Sequence, residues 1–519
     1  MKRYIIILIT VLYLLSFAGC EDFLDRQPRD QVSSGVFWQN KADFDMALTA
    51  NYGFLAGANG APWGNPIQGT WGYMLSNLDN LTDNSYGQHN YGGTKDIVSG
   101  DISSTTGGYV SGMYKLCYQA IARINIFLGE LVRYEGSDVS EQNKKEAEAE
   151  VRFLRAYYYF QLYCYYGDVP LVLEPLTLDT QKQAKIGADK ILEQVINDLN
   201  FAIANLKATP FYENSGHVAQ STARAMKARV LMYNAYDKQG NPNLDLLREV
   251  SDLCSEVIPI YSLSPVFEYL FQDGGQRGNP EIIFSVNYLA PDNVPSNGID
   301  LILGDWCGVA PLQNFVDEFE CTDGLSWKDS PLADVNKPLE NRDPRLLKTV
   351  FVDVVDWGGG NVHNPSNATP SGYGVKKFLD PEGIPYSYST LSEQNTVIIR
   401  LAEVLLMYAE AQNEIEGPTS SVYDAIDMIR HRVGMPSLPK GLSKNDMRER
   451  IRRERRVELA FEGLRYFDLK RWYIVGDVLN NVKDGFLSYH WDDKFYHWPI
   501  PQEEIDKNQG VLIQNPDYE

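Results

Sequence analysis

The chain has 519 residues, 44% hydrophobic and 22% charged, a composition that supports a globular protein with a sizeable core. Its formal net charge of -22 argues against nucleic acid as a partner, because phosphate binding needs a basic surface and the release of counterions. The six histidines are scattered without ligand spacing, so no metal centre is indicated.

The N-terminus reads Met1-Lys2-Arg3, then an apolar run from Tyr4 to Ala18, then Gly19-Cys20. A positive start before an apolar run shorter than the roughly 18 residues of a membrane span predicts a cleaved secretory signal over residues 1–19. Phe17-Ala18-Gly19-Cys20 resembles a bacterial lipobox, with Phe17 where Leu is commoner, and predicts lipidation at Cys20 and a lipid anchor. Cys117, Cys164, Cys254, Cys307 and Cys321 remain, an odd number with no C-x-x-C, which speaks against a zinc site, a redox motif or a disulfide framework. A bond between Cys307 and Cys321 stays open at this level.

Phe44, Leu48, Tyr52 and Leu55 recur at helical spacing. From Gly57 to Gly112, Gly, Asn, Ser and aromatics replace any apolar period, which predicts long loops with short helical pieces. Helices are predicted over Tyr114 to Arg133, Glu141 to Tyr166 with Ser140 as cap, Ala188 to Leu206, Thr222 to Tyr236 and Leu244 to Val257. Arg152 and Arg155 read as ion-pair or capping residues, and Tyr157-Tyr158-Tyr159 as packing between helices. Periodicity lapses from Ser262 to Gln394, where Glu281 to Val286 and Thr349 to Val355 read as short strands. Helix resumes over Asn395 to Glu414 and, after Gly417-Pro418, over Val422 to Val433. In Ile451 to Trp472 (IRRERRVELAFEGLRYFDLKRW) apolar residues interrupt the charges on several sides, so the segment is expected to be packed on more than one flank. Arg455, Glu458, Glu462, Arg465 and Asp468 recur three or four apart, the spacing at which charges meet on a helix, and predict a structural ion-pair network.

ERRVELAFEGLRYFDLKRW, EAEVRFLRAYYYFQLYCYYGDVPLV, IIRLAEVLLMYAEAQNE and FYHWPIPQEEIDKNQGVLIQNPDY, with CEDFLDRQPRD at the mature start, resemble the SusD-like (RagB/SusD) family of glycan-binding outer-membrane lipoproteins. The resemblance spans essentially the whole mature chain. It implies a mainly α fold of tetratricopeptide-like helical hairpins carrying long irregular loops and a few short strands. The expected organisation is an N-terminal region, 20–260, with the 57–112 loop, and a C-terminal region, 261–519, in one compact unit. The latter divides into a loop-rich 262–394, a helical 395–472 and a tail. The resemblance further implies a surface-exposed, non-catalytic protein of the outer membrane that delivers a glycan ligand to a SusC-like TonB-dependent transporter. It implies no cofactor, and a calcium ion, present in some relatives, cannot be read from the sequence.

Two other classes were weighed against it. A glycoside hydrolase needs two carboxylates at a set separation, and with 69 acidic residues such pairs prove nothing; no G-x-S-x-G, H-E-x-x-H or P-loop is present in a suitable context. A helical-repeat scaffold for a protein partner is compatible with the sequence and with glycan capture at once. Sugar rings stack their C–H faces on Trp or Tyr, so the candidate binding residues are Trp63, Trp71, Tyr86 and Tyr91 from the first loop region and Trp306, Trp327 and Trp357 from the second.

Overall fold

The computed structural model describes residues 37–56, 71–272, 274–289, 299–352, 355–356, 362–363, 365, 369–386 and 392–519. Helix α1 (Lys41–Tyr52) starts at Asn40, whose side chain accepts the Ala42 and Asp43 amides. Short helices α2 (Trp71–Leu78) and α3 (Thr94–Val98) follow, then α4 (Tyr109–Arg133) and α5 (Glu141–Tyr166), which pack as a hairpin. The Ser140 side chain caps α5 by accepting from the Asn143 amide. Helix α6 (Ala188–Asn205) packs on α5, and α7 (Gln220–Tyr233) pairs with α8 (Leu244–Val257). Helix α9 (Leu401–Glu416) lies on α8 and receives α10 (Ser420–Arg432) and α11 (Lys444–Glu458). A short α12 (Arg465–Arg471) follows. The fold is thus mainly α, built of tetratricopeptide-like hairpins. Its strands are short antiparallel pairs, the longest joining Ile282–Val286 (β2) to Thr396–Arg400.

The tyrosine run of α5 is core. Tyr157, Tyr158 and Tyr159 are all buried, and Tyr157 meets Phe284 of the Ile282–Val286 strand edge to face. Tyr165 stacks on Trp498 of the C-terminal tail with ring centroids 4.4 Å apart, and the Trp498 amide donates to the Tyr165 carbonyl. Helix α5 ends at Gly167, where φ is +70° and any Cβ would stand 3.0 Å from the His497 ring, so only glycine lets the tail approach here. Arg155 is buried and forks onto Asp198 of α6 at 2.8 and 2.9 Å, and Arg152 pairs with Glu148 and Asp198, the ion-pair role expected of both.

The structure corrects the sequence reading in two places and answers a question it left open. Helix does not begin at Asn395: Thr396–Arg400 is a strand, since β-branched Thr396, Val397, Ile398 and Ile399 pair with Ile282–Val286 before the chain turns into α9. The segment 451–472 is two helices, broken where Phe461 and Gly463 adopt positive φ of 63° and 75° and Gly463 closes against Leu75. Cys307 and Cys321, whose pairing the sequence left open, are both buried and no disulfide joins them.

That break changes where the charges go. Glu458 is fully buried and accepts from Arg345 at 2.9 Å, Arg400 at 2.6 Å and Arg432 at 2.5 Å, three arginines distant in sequence. Glu462 accepts from Arg400 and from Lys377, Asp468 from Arg455 and Arg471, and Arg465 forks onto Asp83 at 2.9 and 3.0 Å. The residues form a buried network, as expected, but apart from Asp468, which pairs with Arg455 and Arg471 of the same segment, their partners come from the rest of the chain.

Removing the charge at the centre of this network takes a carboxylate from three buried or half-buried arginines at once, whereas removing one at its edge affects a single pair. Glu458→Gln should destabilise the fold by about 3 to 5 kcal/mol. Arg465→Ala leaves Asp83 still paired to Arg456 at 2.9 Å and should cost about 1 to 2 kcal/mol. Chemical denaturation of both variants checks the ranking, and equal losses would show that Glu458 is not its centre.

The network also fixes a pH dependence. Burial alone would raise the Glu410 carboxyl, but the Arg471 guanidinium beside it holds it at about 2. Against the same burial, Arg456 and Arg465 hold Asp83 at about 2. Both lie below their ordinary values of 4.5 and 3.8, so the stability they contribute is complete above about pH 5 and is lost as pH falls toward 2. Lys470, whose ammonium donates to the Cys164 carbonyl, is pushed down by burial to about 8. Its contribution is therefore present above its ordinary 10.5 and lost as pH falls through about 8. Urea midpoints measured across pH should fall on the acid side and rise between about pH 8 and 10; a flat acid limb would contradict the assignment.

Candidate functional site

The segment Asn77 to Ser85 (NLDNLTDNS) is polar in sequence yet buried along its length. Its side chains satisfy one another. Asn77 donates to the Tyr109 hydroxyl at 2.8 Å, Asn80 to the Asn77 carbonyl oxygen at 2.6 Å, Ser85 to Asn80 at 2.8 Å and Asn84 to Asp79 at 2.7 Å. Burial pushes the Asp79 carboxyl up to about 7, against the Asn84 amide and the Phe461 N–H that it accepts. Arg456 of α11 donates to the Asn84 side chain at 2.8 Å and to the Asp83 carbonyl at 3.0 Å, so the lattice is tied to the 451–472 segment.

The lattice delivers Ser85–Tyr86 (β1), which pairs antiparallel with Ala310–Pro311 (β3) in the register Ser85↔Pro311 and Tyr86↔Ala310. This bridge joins the two loop regions and brings Tyr91 beside Trp306, with ring centroids 6.4 Å apart and planes 29° from parallel. Both rings are half-buried. A π-helical turn over Leu301–Asp305 presents Trp306, whose amide donates to the Leu301 carbonyl, and the next residue, Cys307, adopts φ of 49°. Local strain of that kind in a non-glycine residue is held by its surroundings and concentrates at functional sites. His89 contacts the Trp306 carbonyl oxygen at 3.2 Å and lies 5.1 Å from the Tyr91 ring. Tyr86 stacks on Phe486 of the tail at 5.0 Å, with the Lys95 ammonium 4.9 Å from its ring.

A groove of about 730 Å³, lined by Asp83 of the same polar segment, runs between α11 and the loop carrying Leu325, Ser326 and Asp329. Arg453, Arg456, Arg465 and Asp83 line it. Trp327 stands half-buried on that loop, and the Arg342 guanidinium covers its ring at 4.7 Å.

Of the seven candidate aromatics, Tyr91 and Trp306 meet directly, and Tyr86 lies on the strand that joins their loops. Trp327 belongs to the groove loop. The backbone of Trp71 opens α2, while its side chain, like Trp63 and Trp357, lies outside the described residues. His89 and Phe486 were missed by sequence reasoning. Their spacing carries no signal, although His89 sits between Tyr86 and Tyr91. Among the described residues no group of three or more His, Cys, Asp or Glu side chains is placed to hold a metal ion.

The arrangement offers flat ring faces with amide, imidazole and ammonium groups at their edges, which suits stacking and hydrogen bonding of a polyhydroxylated ring. Residues 280–518 match the model of the SusD family, and residues 22–232 match a model described as starch-binding, associating with outer membrane. The chain is similar to the SusD-like protein P25 of Formosa agariphila, 26% identical across 98% of this chain and 97% of that one. Its fold is similar to that of a SusD-like carbohydrate-binding protein from Bacteroides fragilis, with a TM-score of 0.75 and 24% identity over 93% of this chain and 100% of that one. It is also similar to that of surface glycan-binding protein A from Bacteroides fluxus, with a TM-score of 0.70 and 22% identity over 92% of this chain and 100% of that one. With two matching models that together take in residues 22–232 and 280–518, the chain belongs to the SusD-like family.

Proposed function

We propose that this protein is a non-catalytic glycan-capturing lipoprotein of the outer membrane, which holds an oligosaccharide or polysaccharide on the Tyr91–Trp306 face and passes it to a TonB-dependent transporter. The observation that carries the reading is the stacked pair itself: two half-buried rings, drawn from separate loop regions, are fixed side by side by the β1–β3 bridge in a SusD-like chain. The two structural relatives, a carbohydrate-binding protein and a surface glycan-binding protein, support it. Stacking on an open face buries few contacts, so affinities of roughly micromolar to millimolar are expected.

A glycan array followed by calorimetry tests the reading. Trp306→Ala and Tyr91→Ala should each weaken binding by about 1 to 3 kcal/mol, the worth of an aromatic stack on a flat ring, with melting temperatures close to wild type. Released sugars after long incubation would overturn the non-catalytic reading, and unchanged affinity in both variants would move the site.

The anchor is testable separately. Among the described residues no helix is long and apolar enough to cross a membrane. Acyl chains supply about 0.8 kcal/mol per buried methylene, so Cys20→Ala should release the protein into the soluble fraction. Retention of the variant in membranes from cells lacking the transporter would exclude lipidation at Cys20 as the tether. Co-purification of wild type with a TonB-dependent barrel is the expected sign of the partnership.

A further inference from the structure

The aromatic face and the groove share one short segment. Asp83 lines the groove and Tyr86 carries the Phe486 stack, so at about 3.3 Å per residue their backbones stand no more than about 10 Å apart. The groove is therefore within reach of the strand that joins the two loop regions, and at about 730 Å³ it falls within the usual size of small-molecule sites.

The charges of the groove say what would enter it. Its walls carry five arginines and five carboxylates. Every one of those guanidinium groups already has an acidic partner. Arg453 donates to Glu318 at 3.0 Å, Arg452 to Glu449 at 3.3 Å and Arg450 to Glu320 at 2.5 Å, while Arg456 and Arg465 share Asp83 at 2.9 Å each. Asp329, an exposed carboxylate, is steadied by the Ser326 hydroxyl at 2.5 Å. Such a wall sets N–H donors beside carboxylate acceptors, with the charge of each guanidinium already matched by a carboxylate. A sugar hydroxyl, which donates and accepts at once, matches that arrangement. A sulfate or uronate would have to displace a carboxylate from its arginine, and it would approach a chain of net charge -22.

We infer that the groove prolongs the Tyr91–Trp306 face into one binding track for a neutral glycan several sugars long, and that the track rejects sulfated and uronate-rich chains. The inference rests on the glycan-capturing reading above and adds the ligand's charge class and its extent to it. Arg453 and Asp329, at the rim, are the residues that would meet the distal sugars.

Calorimetry on the mature chain, with oligosaccharide ladders of increasing length, tests it. Neutral glucan, mannan and xylan ladders are compared with pectic, alginate and sulfated ones, each at low and high salt. For the neutral ladder that binds, affinity should climb with length and change little with salt. Arg453→Ala and Asp329→Ala, checked for intact melting, should lose on the order of tenfold in affinity for the longest members and nothing for the shortest. Trp306→Ala should weaken all lengths. Long members that bind both rim variants as tightly as wild type, or a preference for an anionic ladder, would overturn the track while leaving glycan capture standing. Absence of binding to every ladder, or indifference to Trp306→Ala, would overturn glycan capture and the track with it.

Discussion

The structure depends on a single buried carboxylate. Glu458, at the end of α11, gathers Arg345 from the loop-rich region, Arg400 from the last position of its strand and Arg432 from the end of α10. Burial alone would raise its carboxyl, but Arg432, Arg400 and Arg345 together hold it well below the usual carboxylate range. Charges buried like this are costly, and replacing the whole set with apolar residues could leave the fold as stable. What the network supplies is direction. Each guanidinium has few places to go other than these oxygens, so three segments far apart in sequence are brought into one arrangement. Arg400 then passes the constraint on, because the same side chain also donates to Glu281 and Glu462.

That constraint reaches the candidate site through α11 and α12. Arg456 and Arg465 clamp Asp83, Arg456 also holds the Asn84 amide, and two residues later the chain enters the bridge that joins the loop regions. Loops with few apolar contacts open easily on their own. Here the Asn77–Ser85 lattice replaces apolar packing with satisfied hydrogen bonds, which are stringent about geometry. The left-handed backbone at Cys307 is tolerable for the same reason: Gly308 offers its carbonyl oxygen to Asn80 within the lattice. Family signature and binding face are thus separate in sequence and coupled in space. The motif holds the floor on which the aromatics stand.

The helices were legible because their signals are local. Glu141–Tyr166 and Leu244–Val257 carry an apolar stripe, a capping side chain and a stop, and the structure reproduces those limits residue for residue. The strand at Thr396–Arg400 was hidden because its run of β-branched residues leads straight into α9, so one continuous pattern serves two structures. The ion pairs were legible as a network but not as pairings, since a spacing of three or four suggests a helical face until Phe461 and Gly463 break it. At the site, composition pointed to the two loop regions. It could not show that Tyr91 meets Trp306, because that contact depends on a register between Ser85–Tyr86 and Ala310–Pro311, more than two hundred residues apart. Phe486 gave no signal, as its role follows only from where the tail packs.

The distribution of charge closes the argument from composition to recognition. An acidic chain of net charge -22 holds many of its arginines in buried or half-buried pairs with carboxylates, so the positive charge that could capture an anion is already engaged inside the protein. What the loops offer at their surface is then mainly ring faces, amides, carbonyls and paired charges. Such groups discriminate through shape and hydroxyl geometry, and they act through short contacts that salt screens little. On the glycan-capturing reading proposed above, binding has to be specific enough to select and weak enough to release. Stacking beside largely paired charge suits both demands, because few strong contacts then have to break for the sugar to leave.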